Sequence, residues 1–330
     1  MKLFILAVIG IIVILHILDK KPPTPTENGK KIEKKIVAQK HLISKEQSKQ
    51  VEEVIEIVKD INPLKTPKVW TYIEVSNDIK ILPRYYKKKN VSVFYQKCIE
   101  KMEKNTPDLI VLTPENIEKY IPKFPIVMNH KSEIPLRKRI DILFSHILYE
   151  YGGLCISPGT ILFNLRDVLG KTNTFDLVSF GSSPRIIQSI NNPKYPNTYV
   201  IGAQKFSPLI SEYKRLLLIS VKDNYKYELR NNESYDIMSH LLHVNNVKQY
   251  HYSAEYDGTY NSRMKLIDIS EYLGNQNINY YDPTKIKFVS IPYDELEKRP
   301  ELQWFLELSR EQFNKSKLEV VRLLNKVSFI

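Results

Sequence analysis

Cysteine is nearly absent from this chain: Cys98 and Cys155 are the two in 330 residues. That excludes a disulfide framework, leaves room for at most one bridge, and fits a reducing compartment. Neither lies in a CxxC or comparable spacing, so a structural zinc site has no support, and both read as small buried hydrophobes. Also missing are HExxH, GxSxG, a Ser-His-Asp order and a glycine-rich phosphate loop. His240 and His243 stand three apart, with His251 and Glu255 downstream, but they complete no ligand set. Acidic residues are in deficit, 37 against 49 Lys and Arg, for a formal net charge of +12. The surplus is uneven. Lysines crowd between Lys20 and Lys49 without the arginine and aromatic interleaving of base readout. Anionic lipid, or a solvated stalk, is therefore expected there, and nucleic acid is not.

What is present points to one large domain with appendages. The N-terminal run "MKLFILAVIGIIVILHIL" is apolar from Leu3 to Leu18 except for His16. It sits near the short limit for a membrane span and no small-residue cleavage site follows, so an uncleaved anchor over 1–19 is expected, held in the bilayer through residues 3–18. Lys2 and the terminal amine precede it, whereas Lys20, Lys21, Lys30, Lys31, Lys34 and Lys35 follow it. The more basic flank stays cytosolic, which puts the main domain there. A lumenal domain would instead expose sequons at Asn90, Asn232 and Asn314.

Residues 20–62 read as a basic hinge and helical stalk. After a Pro-Thr stretch, Ile32, Ile36, Ile43, Val51, Val54, Ile55 and Val58 recur at helical spacing, and the helix should stop near Asn62 and Pro63. From 63 to 330, β-rich runs alternate with amphipathic helices. Strands are expected at Val69–Val75, Leu109–Leu112, Leu154–Ile156, Asp176–Phe180, Tyr199–Gly202 and Lys287–Ile291. Helices are expected at Val93–Lys104, Pro114–Tyr120, through "IPLRKRIDILFSHILYEY", and at Pro208–Val221, Tyr235–Val244 and Asp294–Phe313. The alternation predicts an α/β domain with a mostly parallel sheet covered by helices. "EYDGTYNSR" reads as a turn.

The stretch "RIDILFSHILYEYGGLCISPGTILF", Arg139 to Phe163, resembles the capsular-polysaccharide-synthesis and DXD-sugar-binding glycosyltransferases. Asp141, Tyr149, Tyr151, Gly152 and Gly153 fall at the spacing of that family's D-x-x-R...L-Y-x-Y-G-G signature, and "TPKVWTYIE" resembles its first strand. The resemblance covers about Pro67 to Leu169. It implies a GT-A-like fold preceded here by the anchor and stalk, a nucleotide-sugar ligand, and donor-binding candidates Trp70, Thr71, Asp141, Gly152, Gly153 and Ser157. Arg137 and Arg139 become candidates for phosphate. The proline inside the motif and "ELEKRPELQWFLELSREQF" resemble membrane-anchored members in large DNA viruses.

Two departures weigh against metal-assisted transfer. Where the family has Asp-x-Asp, this chain has Ser157 and Gly159, which cannot supply the carboxylate oxygens that a hard divalent cation takes, so Mn or Mg is not expected. Phe144 replaces an arginine on the helix face of Asp141. Each candidate also has a plainer reading: Arg137 to Arg139 as a solvated helix end, Asp141 as a capping or ion-pairing residue, Trp70 and Tyr72 as sheet residues, and the glycines as backbone requirements. Two functions stay open. One is a membrane-anchored glycosyltransferase-like enzyme with unassigned catalytic residues. The other is a catalytically inactive protein of that fold, in a virion membrane or beside capsid and assembly proteins.

Overall fold

The computed structural model describes residues 67–74, 91–106, 108–128, 132–181, 196–223, 233–242 and 248–327. The anchor, hinge and stalk expectations lie outside these residues. Among the described residues, no helix is long and apolar enough to cross a membrane.

A six-stranded sheet forms the centre, in the order β2-β1-β3-β6-β5-β7. Its strands are β1 (Val69–Tyr72), β2 (Leu109–Leu112), β3 (Gly153–Ile156), β5 (Leu177–Gly181), β6 (Pro196–Ala203) and β7 (Gln249–Ser253). β1 runs parallel to β2 and β3, and β5 parallel to β7, while β6 is antiparallel to β3 and β5. The sequence "VWTY" of β1 and "GLCI" of β3 are buried along their whole length. Continuous apolar runs of that kind belong to strands covered on both faces, as a helix-sheathed sheet requires. A second, two-stranded sheet pairs β4 (Thr160–Leu162) with β8 (Phe288–Ser290). An aromatic seam joins the two sheets: Phe180 of β5 stacks on Tyr252 of β7 at 4.7 Å and meets Phe288 of β8 edge-on at 4.8 Å.

The helices are α1 (Val93–Asn105), α2 (Ile117–Tyr120), α3 (Leu136–Tyr151), α4 (Arg166–Lys171), α5 (Pro208–Asp223), α6 (Glu233–Leu241), α7 (Ile269–Tyr272), α8 (Tyr293–Lys298), α9 (Gln303–Leu306), α10 (Arg310–Lys315) and α11 (Glu319–Asn325). The expected mostly parallel α/β architecture is the one observed, with element ends within a few residues of the sequence reading. The helix expected over Asp294–Phe313 is instead three short helices. Pro300 removes a backbone donor and pushes Arg299 to an extended ψ of 108°, which ends α8, and Ser309 with Gln312 restarts the chain in a capping box at α10. β4, β7 and the helices α4, α7 and α11 were not anticipated, because stretches such as "TIL", "QYHYS" and "ISEY" carry too short a pattern to stand out. Cys98 and Cys155 are free and buried.

α3 controls how the chain enters the sheet. It closes at Gly152 with φ +68°, and Gly153 follows at φ +98°. A Cβ on Gly153 would lie 2.1 Å from the Lys68 carbonyl oxygen. Only glycine accepts both that dihedral and that approach, and the result is β3 laid directly beside β1.

Candidate functional site

The C-terminal ends of β1, β3 and β5 and the start of antiparallel β6 meet at one edge of the sheet, where α/β proteins place their ligands. Arg137, Arg139 and Asp141 arrive there from the first turns of α3, Thr198 and Tyr199 from β6, and Ser157 from the end of β3.

None of the charged side chains in the first turns of α3 is solvated. Arg137, Lys138, Arg139 and Asp141 are 2–5% exposed, which corrects the reading of this helix end as a solvated one: its first turn is covered rather than open to water. Arg139 forms a two-pronged pair with Glu74, Nη1 to Oε1 at 3.1 Å and Nη2 to Oε2 at 3.3 Å, while its Nε donates to the Ile134 carbonyl at 3.1 Å. Arg137 Nε donates to Asp141 Oδ2 at 3.3 Å, one helical turn on, and its Nη2 donates to Thr198 Oγ1. The Arg137 guanidinium stacks 3.7 Å from the centroid of Tyr199, with the Tyr293 ring at 5.9 Å. Tyr199 Oη in turn donates to Asp294 Oδ1 at 3.0 Å. Burial pushes the Asp141 carboxyl upward, and Arg137 and the Ser234 hydroxyl pull it partly back. Both arginines thus spend charge on internal carboxylates before any phosphate arrives.

Ser157 is 1% exposed; its backbone N–H donates to the Tyr199 carbonyl at 2.7 Å. Its Oγ, with Thr71 Oγ1 and Tyr293 Oη, has no hydrogen-bond partner among the described residues. At Gly159, a Cβ would sit 2.5 Å from the Ile291 carbonyl oxygen and 3.4 Å from the Tyr293 Cβ. The Ile291 N–H donates to the Gly159 carbonyl at 2.9 Å, so the segment leaving β8 is strapped across the space that any side chain at position 159 would need. Serine and glycine do not fit a divalent cation by donor chemistry, and the space is filled by backbone. Among the described residues no group of three or more His, Cys, Asp or Glu side chains could hold a metal ion.

The remaining candidates fall elsewhere. Trp70 is fully buried at the opposite end of β1, where its Nε1 donates to the Gly152 carbonyl at 3.1 Å and its ring lies 5.4 Å from Tyr120 and 5.3 Å from Tyr151. Gly152 and Gly153 sit at that same far end. Phe144, in place of the arginine, is part of the core. So the structure gathers Arg137, Arg139, Asp141, Thr71 and Ser157, and separates them from Trp70, Gly152 and Gly153. The sequence reading missed Glu74, Thr198, Tyr199, Tyr293 and Asp294. Glu74, just past β1, was the one with a local signal. Two concavities, about 690 Å³ lined by Asn261–Asn279 and about 670 Å³ near Pro67, Lys104 and Arg166, share none of these residues.

A crystal structure of an active-site mutant of LgtC aligns with 76% of this chain and 100% of that one, at 11% identity and a TM-score of 0.33. No curated protein sequence matches. The family model described as capsular polysaccharide synthesis protein matches residues 88–277, more than half of the chain, and takes in α3, the glycine pair and the Ser157–Gly159 turn. This chain belongs to the capsular polysaccharide synthesis protein family of glycosyltransferase-like proteins.

Proposed function

We propose that this protein uses its family's scaffold without the metal-diphosphate chemistry, as a membrane-tethered binding or structural protein. The observation that carries the reading is the strap over Gly159: with the Ile291 carbonyl 2.5 Å from where a Cβ would stand, the turn has no room for a carboxylate. Gly159 lies within the family-matched residues and Ile291 beyond them. The internal pairing of Arg137 with Asp141 and of Arg139 with Glu74 supports the same reading, because neither guanidinium is available for phosphate without leaving a buried carboxylate uncompensated. Tethering would be through residues 3–18, with the folded unit in the cytosol and assembly or capsid proteins as the partners.

A second reading is sugar transfer from a nucleotide-sugar donor without metal. It is favoured by the three buried hydroxyls of Thr71, Ser157 and Tyr293, which have no partner among the described residues, the Tyr293 ring lying 5.9 Å from the Arg137 guanidinium. Buried hydroxyls of this kind are costly unless something polar meets them. Calorimetric titration of the full chain in detergent with UDP- and GDP-sugars, with and without manganese, separates the cases. No binding under either condition is expected. Metal-independent binding would replace the first reading by the second, and manganese-dependent binding would sink both.

A further inference from the structure

The edge opposite the candidate site carries a different chemistry. There the described chain enters at Pro67 and Lys68, α3 ends at Tyr151, and β6 runs out into Gln204, Lys205 and Phe206. Phe206 is 56% exposed and holds a φ of +59°, a conformation rare for a bulky side chain. Its own N–H donates to the Tyr149 carbonyl at 2.8 Å and its ring meets the Tyr149 ring edge-on at 5.7 Å, with the rest of the side chain open to solvent. Around it lysine ammonium groups sit over aromatic rings: Lys205 at 4.5 Å from Phe206, Lys214 at 4.0 Å from Tyr149, Lys68 at 5.5 Å from Tyr151, and Lys171 at 4.0 Å from Tyr250. Lys248 is exposed at the start of β7. Opposing them are Glu150 and Asp108, while Asp176 accepts from Gln204 and the Lys248 N–H. The edge is therefore net basic, with aromatic rings at its surface.

We propose that this edge docks on an anionic phospholipid surface, with Phe206 entering the headgroup region and the lysines facing lipid phosphate. Amphipathic rings flanked by lysine suit the membrane interface, and each interfacial lysine adds attraction to an anionic leaflet. The 66 residues before Pro67 join the folded unit on this edge, and they contain the apolar run 3–18. The inference does not depend on whether the site transfers sugar.

The test uses the full chain reconstituted in vesicles. Cys98 and Cys155 are buried, so bimane placed at Phe206→Cys reports that position, with Glu115→Cys just past β2 as the opposite-edge control. In phosphatidylcholine vesicles containing phosphatidylserine, brominated lipid should quench the label at 206 at least twofold and leave the label at 115 unchanged. Lys205→Glu with Lys214→Glu should abolish most of the quenching at 206. Four results overturn the proposal: no quenching at 206 in chain that sediments with the vesicles, equal quenching in pure phosphatidylcholine, no vesicle association at all, or shielding of the label without lipid accompanied by dimer in sedimentation, which would assign the edge to a second copy.

Discussion

Replacing Gly159 by alanine tests the strap over the turn with one methyl group. The new Cβ would stand 2.5 Å from the Ile291 carbonyl oxygen, against about 3.4 Å for an ordinary contact, so the strand ends must separate by about 0.9 Å. No positive φ is involved at this glycine, so the cost is one of space and not of backbone conformation. Separation loosens the 2.9 Å bond from the Ile291 N–H to the Gly159 carbonyl and strains the adjacent Thr160–Ser290 pairing. Overpacking of this kind costs about 1–3 kcal/mol and a weakened hydrogen bond about 1 more, for roughly 2–4 kcal/mol in all. Gly159→Asp adds a carboxylate in the same space and should cost more. Ser157→Ala is the internal control: it removes a buried hydroxyl with no partner among the described residues, so it should be neutral or slightly stabilising. Urea unfolding followed by circular dichroism reads all three as shifts in midpoint at constant slope. A Gly159→Ala variant within about 0.5 kcal/mol of the parent would refute the strap, and with it the argument that the turn excludes a carboxylate.

Two further predictions concern buried charge. Arg137→Met takes away the cation that offsets the burial of Asp141 and leaves that carboxyl with the Ser234 hydroxyl alone, which should cost about 3–5 kcal/mol in the same assay, whereas Arg137→Met with Asp141→Leu should recover most of that loss. A double variant no more stable than the single one would show that the pair is not coupled. Asp257 is held by Thr259 and Asn197, and burial pushes its carboxyl up to about 6 from 3.8. The folded state therefore binds that proton more tightly than the unfolded chain. Its contribution is full below about pH 4 and is lost as pH rises through 6, a change of about 3 kcal/mol. Asp257→Asn should flatten that limb of the stability profile, and an unchanged slope between pH 4 and 6 would assign it to other groups.

The sequence by itself determined the longer strands and helices of the folded unit, though not β4, β7 or the short helices, because apolar periodicity and the glycine pair are local signals. α3 and β3 could be placed from "IDILFSHILYEYGG" and "LCI" alone, since helix period, helix stop and buried strand all lie within one stretch. It also places Ser157 and Gly159 directly after the glycine pair and its strand. Tertiary structure alone decided what surrounds that turn. Nothing near Gly159 announces that Ile291 will lie against it, and nothing near Arg137 announces Tyr199 or Tyr293, because these contacts join segments far apart in the chain. The same holds for the charges of α3. Their sequence looks like a polar helix end, and only the packing of β1, β6 and α6 around that end turns Arg137, Arg139 and Asp141 into buried ion pairs. Trp70 shows the converse: a strand residue whose type suits base stacking was committed to the core once α2 and the end of α3 brought Tyr120 and Tyr151 against its ring. Local pattern fixes which elements form, and which side chains stay free for chemistry depends on what the rest of the chain packs over them.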